Sequence, residues 1–177
     1  MAARERLLLV DGYNVLGAWS DATRGRTIDE ARDYLIRRLH DYAGFTGQQV
    51  VLVFDAYQSD RTTRTEETHG SFTVVYTQKG ELADHYIERV CDQRAHEVEV
   101  GKLEIRVATS DALEQTVVLG RGATRMSARE LIYEMGQTQQ DGAPYAPGPA
   151  RVSRSTVMDH LPEDVRRKLE KMRRGEN

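Results

Sequence analysis

Four aspartates fall where a fold could gather them for chemistry. Asp11 follows the apolar run LLLV, Asp55 follows VVLVF, Asp111 follows IRVATS, and Asp84 lies in GELADHYIE. Glu81 precedes Asp84 by three residues and Glu88 follows it by one helical turn, on the same face of the expected helix. A single aspartate at the end of a strand is ordinarily a helix N-cap. Four at one sheet edge are different, because carboxylates brought close together repel and raise at least one pKa unless a cation neutralises them. Hard oxygen donors suit Mg²⁺, Mn²⁺ or Ca²⁺. Zinc is disfavoured, since the five His and one Cys show neither C-x-x-C nor H-E-x-x-H spacing. The chemistry that most needs such a site is phosphodiester cleavage, where divalent ions lower the pKa of the attacking water, orient the phosphate and neutralise the leaving oxygen. Asn14, three residues after Asp11 in DGYN, can bind a phosphate oxygen, a metal-bound water or a ligand carboxylate, or can simply stabilise a turn.

Other phosphate chemistries lack their signatures. There is no G-x-x-x-x-G-K-[ST] loop and no G-x-G-x-x-G. An aspartyl-phosphate phosphatase would use Asp11 as nucleophile and calls for a second aspartate two residues on, where Tyr13 stands.

The elements that must position these acids follow from periodicity. Arg6–Val10 is a short apolar strand stopped by Asp-Gly. A loop rich in Gly, Ser, Asp and Thr follows. Ile28–Ala43 is a helix with Ala31, Leu35, Ile36, Leu39 and Tyr42 on one side, Thr27 as N-cap and Gly44 as stop. Gln49–Phe54 is continuous and β-branched, as expected of a strand covered on both faces. Phe72–Tyr76 is a third strand, Leu82–Val98 a helix with Ala83, Ile87, Val90 and Cys91 inward, and Leu103–Ala108 a fourth strand. A helix over Ala112–Leu119, a short Ala123–Met126 segment and a Ser127-capped helix over Ala128–Gln137 complete the order. Strands separated by helices specify a parallel sheet with right-handed crossovers, whose ligands bind beyond the carboxyl ends of the strands.

At 177 residues and 39% hydrophobic content the chain is long enough for one domain and a tail. No stretch approaches the ~20 apolar residues of a membrane span, and the N-terminus lacks the features of a signal peptide, so the expected location is the cytoplasm with no membrane partner. Cys91 has no partner for a disulfide and reads as a buried bystander. From 137 to 149 the sequence QTQQDGAPYAPGP has no periodicity and carries three of the four prolines, as a linker would. Residues 151–177 hold eight Lys/Arg against five Asp/Glu, net +3, and the remaining 17 basic and 23 acidic residues leave the first 150 at −6. Such a tail fits a polyanion-binding arm and equally an ordinary solvated helix. Its apolar stripe of Leu161, Val165, Leu169 and Met172, opened by Pro162, can dock on the domain or on a partner.

An acidic metal site needs flanking cations to receive a polyanion, because Lys and Arg contacts to phosphates supply most of the affinity. With a net charge of −3 these must be local. Arg61 and Arg64 after Asp55, Lys79 before Asp84, and Arg121 and Arg125 after Asp111 are the candidates. Tyr13, Trp19 and Tyr57 can stack on unpaired bases or pack the loop bases.

In DGYN, FDA, ELADHYIE and TSD, in that order and spacing, the chain resembles the NYN domain family, and more closely its YacP-like branch within the PIN-like nucleases. The segments LLLVDGYNVL, VVLVFDAY, VVYTQKGELADHYIERV, VATSDALEQ and GATRMSARELIYEM extend the likeness over most of residues 6–135. The resemblance implies a three-layer α/β/α fold with a central, mainly parallel sheet and an Mg²⁺- or Mn²⁺-dependent endoribonuclease acting on RNA. Its catalytic acids map onto Asp11, Asp55, Asp84 and Asp111. For the YacP-like branch it further implies mRNA cleavage linked to the ribosome. The expected division is a nuclease domain over 1–136, a Pro/Gly-rich linker over 137–150 and a basic tail with a short helix over 151–177. The rival expectation is a non-catalytic PIN-like module that binds RNA or the ribosome and keeps its acids for folding or a structural ion.

Overall fold

The run ERLLLVD alternates its side chains between two cores, and that alternation sets the architecture. In the computed structural model, strand β1 (Glu5–Asp11) sends Leu8 and Val10 to one side of the sheet and Leu7 and Leu9 to the other. Both sides are therefore covered, as a near-continuous apolar strand requires. The structure describes residues 3–56, 63–110, 122–141 and residues 165, 167 and 168.

After β1 come two short helices, α1 (Gly12–Ala18) and α2 (Ser20–Thr23), then the long α3 (Ile28–Thr46). Strand β2 (Gln49–Phe54) leads to a hairpin, β3 (Thr65–His69) and β4 (Phe72–Tyr76). Helix α4 (Ala83–Glu99), strands β5 (Leu103–Ala108) and β6 (Thr124–Met126), and helix α5 (Ala128–Asp141) follow. The sheet order is β3-β4-β2-β1-β5-β6, parallel except for the β3–β4 pair. One core lies under α1, α3 and α5 and is built on Leu35, Leu39, Leu52, Phe72 and Leu131. The other lies under α4, on Leu9, Val53, Val75, Ile87 and Val107. Cys91 is buried there and forms no disulfide.

Several expectations shift. The Gly- and Ser-containing stretch after Asp11 is not a plain loop, because Val15, Leu16 and Ala22 have a core to enter once α3 is in place. Helix α3 has the expected cap, with Thr27 Oγ1 accepting from the Glu30 amide at 3.2 Å. It runs through Gly44, which keeps negative φ, and stops at Gly47, whose φ of +69° makes the left-handed cap an L side chain would resist. Strand β3, TEETH, is exposed throughout and offers no apolar alternation to read. It forms because Gly70–Ser71 closes a two-residue hairpin onto β4. Helix α5 continues to Asp141, so the first five residues assigned to the linker are helical. The helix expected over Ala112–Leu119 lies outside the described residues. Val165 of the tail is helical and half-buried against the core under α3 and α5; Leu161, Leu169 and Met172 lie outside the described residues.

Candidate active site

Asp11 ends the central strand of the sheet, flanked by β2 and β5, and begins α1. Its Oδ1 accepts from the Asn14 amide at 3.3 Å, so it is both an N-cap and the deepest acid of the site. It is almost wholly buried, at 7% exposure. Burial pushes its carboxyl up from 3.8 to about 6; the Lys168 ammonium and the Asn14 amide pull it down, and Asp55 and Asp84 push it further up. Lys168 comes from the tail, one helical turn beyond the docked Val165, a placement that no local sequence signal announces.

Close backbone approach holds this corner together. Gly12 sits so near Phe54 that a Cβ built on it would lie 2.5 Å from Cε1 of that ring. Phe54 in turn packs its ring against Tyr13, with centroids 5.2 Å apart. Asp55, half-buried, follows Phe54 directly. The loop that carries it is pinned by Thr77, whose Oγ1 accepts from the Ala56 amide at 2.9 Å and donates to the Glu81 carbonyl at 2.8 Å. One buried hydroxyl thus ties the Asp55 loop to the segment that opens α4, where Asp84 stands in the first turn. Thr77 is not legible in the sequence, because a lone threonine after a strand carries no signal of its own.

Asn14 is 2% exposed. Its Oδ1 accepts from the Ser110 amide at 2.8 Å, linking α1 to the end of β5, and Ser110 Oγ accepts from the Ala128 amide that starts α5. These bonds fix the amide orientation and leave Nδ2 buried without a partner among the described residues. A buried N–H without an acceptor is costly.

The structure gathers Asp11, Asp55 and Asp84 into one electrostatic neighbourhood but does not treat all candidates alike. Both oxygens of Glu81 are engaged by Arg64, through Nε at 2.9 Å and through Nη2, and Arg89 adds a contact at 3.3 Å. The Arg64 hydrogen bonds hold the Glu81 carboxyl below its ordinary value. Glu81 is an anchor for two guanidiniums, and Arg64, which also covers the Tyr86 ring at 4.9 Å, is spent on that anchor. Lys79 and Arg125 are exposed, the first in the loop after β4 and the second on the edge strand β6. Tyr13 is half-buried, and burial raises its hydroxyl pKa while Arg32, donating to it at 3.2 Å, opposes that rise. Trp19 is buried against Tyr34, with ring centroids 5.3 Å apart. Asp111, Tyr57, Arg61 and Arg121 lie outside the described residues. Among the described residues, no three His, Cys, Asp or Glu side chains form a ready metal cluster.

A mainly parallel α/β/α sheet whose central strand delivers a buried aspartate to its carboxyl edge defines the class. The family model for the YacP-like NYN domain matches residues 8–174, and the chain belongs to that family. The match runs through the Pro-rich segment and the tail. The uncharacterized protein YacP of Bacillus subtilis (strain 168) is 39% identical over 131 residues, which cover 73% of this chain and 74% of that protein. Two crystal structures of Rae1 (YacP) from Bacillus subtilis, one of them a single-residue mutant, superpose with TM-scores of 0.62 and 0.60 at 37% identity. They cover 77% and 76% of this chain and 78% and 76% of theirs. The family suggests a PIN-like nuclease domain; its members generally use divalent metal ions, and the substrate it suggests is RNA. Among the described residues, no helix is long and apolar enough to cross a membrane.

Proposed function

We propose that this protein is an Mg²⁺- or Mn²⁺-dependent endoribonuclease that cleaves single-stranded RNA at the carboxyl edge of its sheet. The observation that carries the reading is Asp11, a buried carboxyl at the end of the central strand with Asp55 and Asp84 close enough to oppose its ionisation. The donor set fits a hard divalent ion, because a cation beside Asp11 offsets the burial, and the lesser push of Asp55 and Asp84, that oppose its ionisation. Asp11, Asp84 and Asp111 would hold it, with Asp55 as a further ligand or as an orienting acceptor. A bound ion of this kind supplies an activated water and charge neutralisation at the phosphate.

The chain's own residues do the rest. Thr77 fixes the separation of the Asp55 and Asp84 segments. The Asn14 carbonyl oxygen holds the Ser110 backbone, and its free Nδ2 supplies a donor for a phosphate oxygen. Lys168 brings a tethered positive charge toward Asp11. The proposed substrate in the cell is mRNA, with the ribosome as a partner in cleavage and the cytoplasm as the compartment; the family relationship supports this reading.

A circular single-stranded RNA offered with Mg²⁺, Mn²⁺ or EDTA, with and without translating ribosomes, tests the proposal. Linearisation in either metal and none in EDTA is expected. Turnover of a small phosphomonoester with the circle intact would move the assignment to a phosphatase, and RNA or ribosome binding without linearisation would move it to a binding module.

A further inference from the structure

Five arginines fall between residues 24 and 38, and four of them have no acid partner among the described residues. Among the described residues, Arg24, Arg26, Arg37 and Arg38 have no carboxylate oxygen within 4 Å, whereas Arg32, Arg64, Arg89, Arg94 and Arg106 are all ion-paired. The contrast matters because acids are at hand. Asp29, Glu30 and Asp33 lie on the same helix, and Asp29 is taken by Arg32.

Two of the four are also held in place. Arg26 Nη1 donates to the carbonyls of Asp21 and Ala22 at 2.8 and 3.0 Å, and its guanidinium lies 4.2 Å from the Tyr34 ring centroid. Arg38 Nη1 donates to the Tyr34 hydroxyl at 2.7 Å, and its guanidinium lies 5.0 Å from the Trp19 ring. Each therefore has its position fixed by neutral groups while its charge and remaining N–H donors are left unspent. Arginines pre-organised in this way lose less side-chain entropy on meeting an anion. Arg24 and Arg37, two residues from Arg26 and one from Arg38 in the chain, are exposed.

The row starts at the candidate site. Arg32 donates to the hydroxyl of Tyr13, two residues after Asp11. Helix α3 runs back along the sheet from there, and six residues of helix carry the chain ~9 Å to Arg38. Because Arg26 covers a face of Tyr34 and Arg38 covers Trp19, these rings are packed rather than free to stack on bases. What these four guanidiniums offer is cationic, suited to phosphates and indifferent to sequence.

We infer that the α2–α3 face, through Arg24, Arg26, Arg37 and Arg38, is a phosphate-binding track that receives the RNA backbone as it leaves the Asp11 edge. This rests on the proposed RNA substrate but not on cleavage, so the two can fail separately.

The test measures binding in EDTA by fluorescence anisotropy, using 20-nucleotide U and A oligomers across a range of salt. The main variant is Arg24→Glu/Arg37→Glu, two exposed positions whose reversal breaks no contact seen in the structure. Arg4→Glu/Lys102→Glu, at the amino ends of β1 and β5, makes the same change in net charge away from the track. The α2–α3 variant should weaken binding to both oligomers by at least about tenfold at low salt. It should flatten the dependence of log K on log salt by about 1.4, since each phosphate contact on a single strand contributes about 0.7. The control pair should leave that slope unchanged. Arg38→Gln, which keeps polar contact with Tyr34 and removes the charge, should lower the slope by about 0.7. Equal losses in the control, an unchanged slope in the main variant, or no measurable RNA binding by the wild type would each overturn the inference. Binding lost in the main variant while no RNA is cut under any condition would sustain the track and refute the nuclease.

Discussion

Asp11 should make the metal-free protein less stable as pH rises, and replacing it should reverse that. Its folded-state value near 6 lies above the 3.8 of an ordinary aspartate, so the native chain holds a proton that the unfolded chain has already released. Stability is then lost as pH climbs through the window between the two values, and the loss is complete above pH 6. Two pH units correspond to about 3 kcal/mol at 1.36 kcal/mol each. For a chain of 150–250 residues that is a Tm difference of about 6–12 °C. Asp11→Asn keeps an oxygen to accept from the Asn14 amide and removes the buried charge, so the variant should match the wild type near pH 4 and exceed it by about 3 kcal/mol at pH 8. Urea unfolding in EDTA at pH 4, 5, 6, 7 and 8 measures the gap directly. A gap that stays constant across the range, or a variant less stable than the wild type at pH 8, would refute the reasoning.

Three other consequences can be checked on the same footing. Gly12→Ala places a methyl against the Phe54 ring and should destabilise by about 1–3 kcal/mol, read as a lower urea midpoint with unchanged slope. Thr77→Val leaves the Ala56 amide without its acceptor and should lose about 1–3 kcal/mol, with faster hydrogen exchange confined to the segments around Ala56 and Glu81. Glu81→Gln frees Arg64 and Arg89 and should lose about 1–3 kcal/mol at pH 7. The Glu81 carboxyl is held below its ordinary 4.5, so this deficit should shrink as pH falls through 4.5 and below; a deficit independent of pH would assign the loss to packing.

The sequence carried the inner strands well because each is both a packing unit and a periodic signal. Phe72–Tyr76 and Leu103–Ala108 coincide with β4 and β5, and the mainly parallel sheet follows from strands alternating with helices. Local capping was equally readable at Thr27, whose hydroxyl does what a threonine before a helix should. What escaped depends on partners distant in sequence. The TEETH strand has no apolar face and is defined by its hairpin with β4, and Gly44 continues a helix that its core-facing neighbours Tyr42 and Ala43 hold in place. At the site, Asp11, Asp55 and Asp84 were visible as strand and helix termini. Glu81 carries the same carboxylate chemistry three residues before Asp84, yet its ion pair with Arg64, seventeen residues away, gives it a different task. Lys168 and Thr77 reach the site through tertiary contacts with no local pattern, so only the folded chain shows them.

The most direct measurement of the central claim is cleavage of a labelled single-stranded RNA by the wild type, Asp11→Asn and Asp84→Asn in Mn²⁺, with EDTA as the blank. Internal cuts by the wild type should vanish in EDTA and fall at least about a hundredfold in both variants, each still folded by circular dichroism. Cleavage by Asp11→Asn at the wild-type rate in the same metal would contradict that claim.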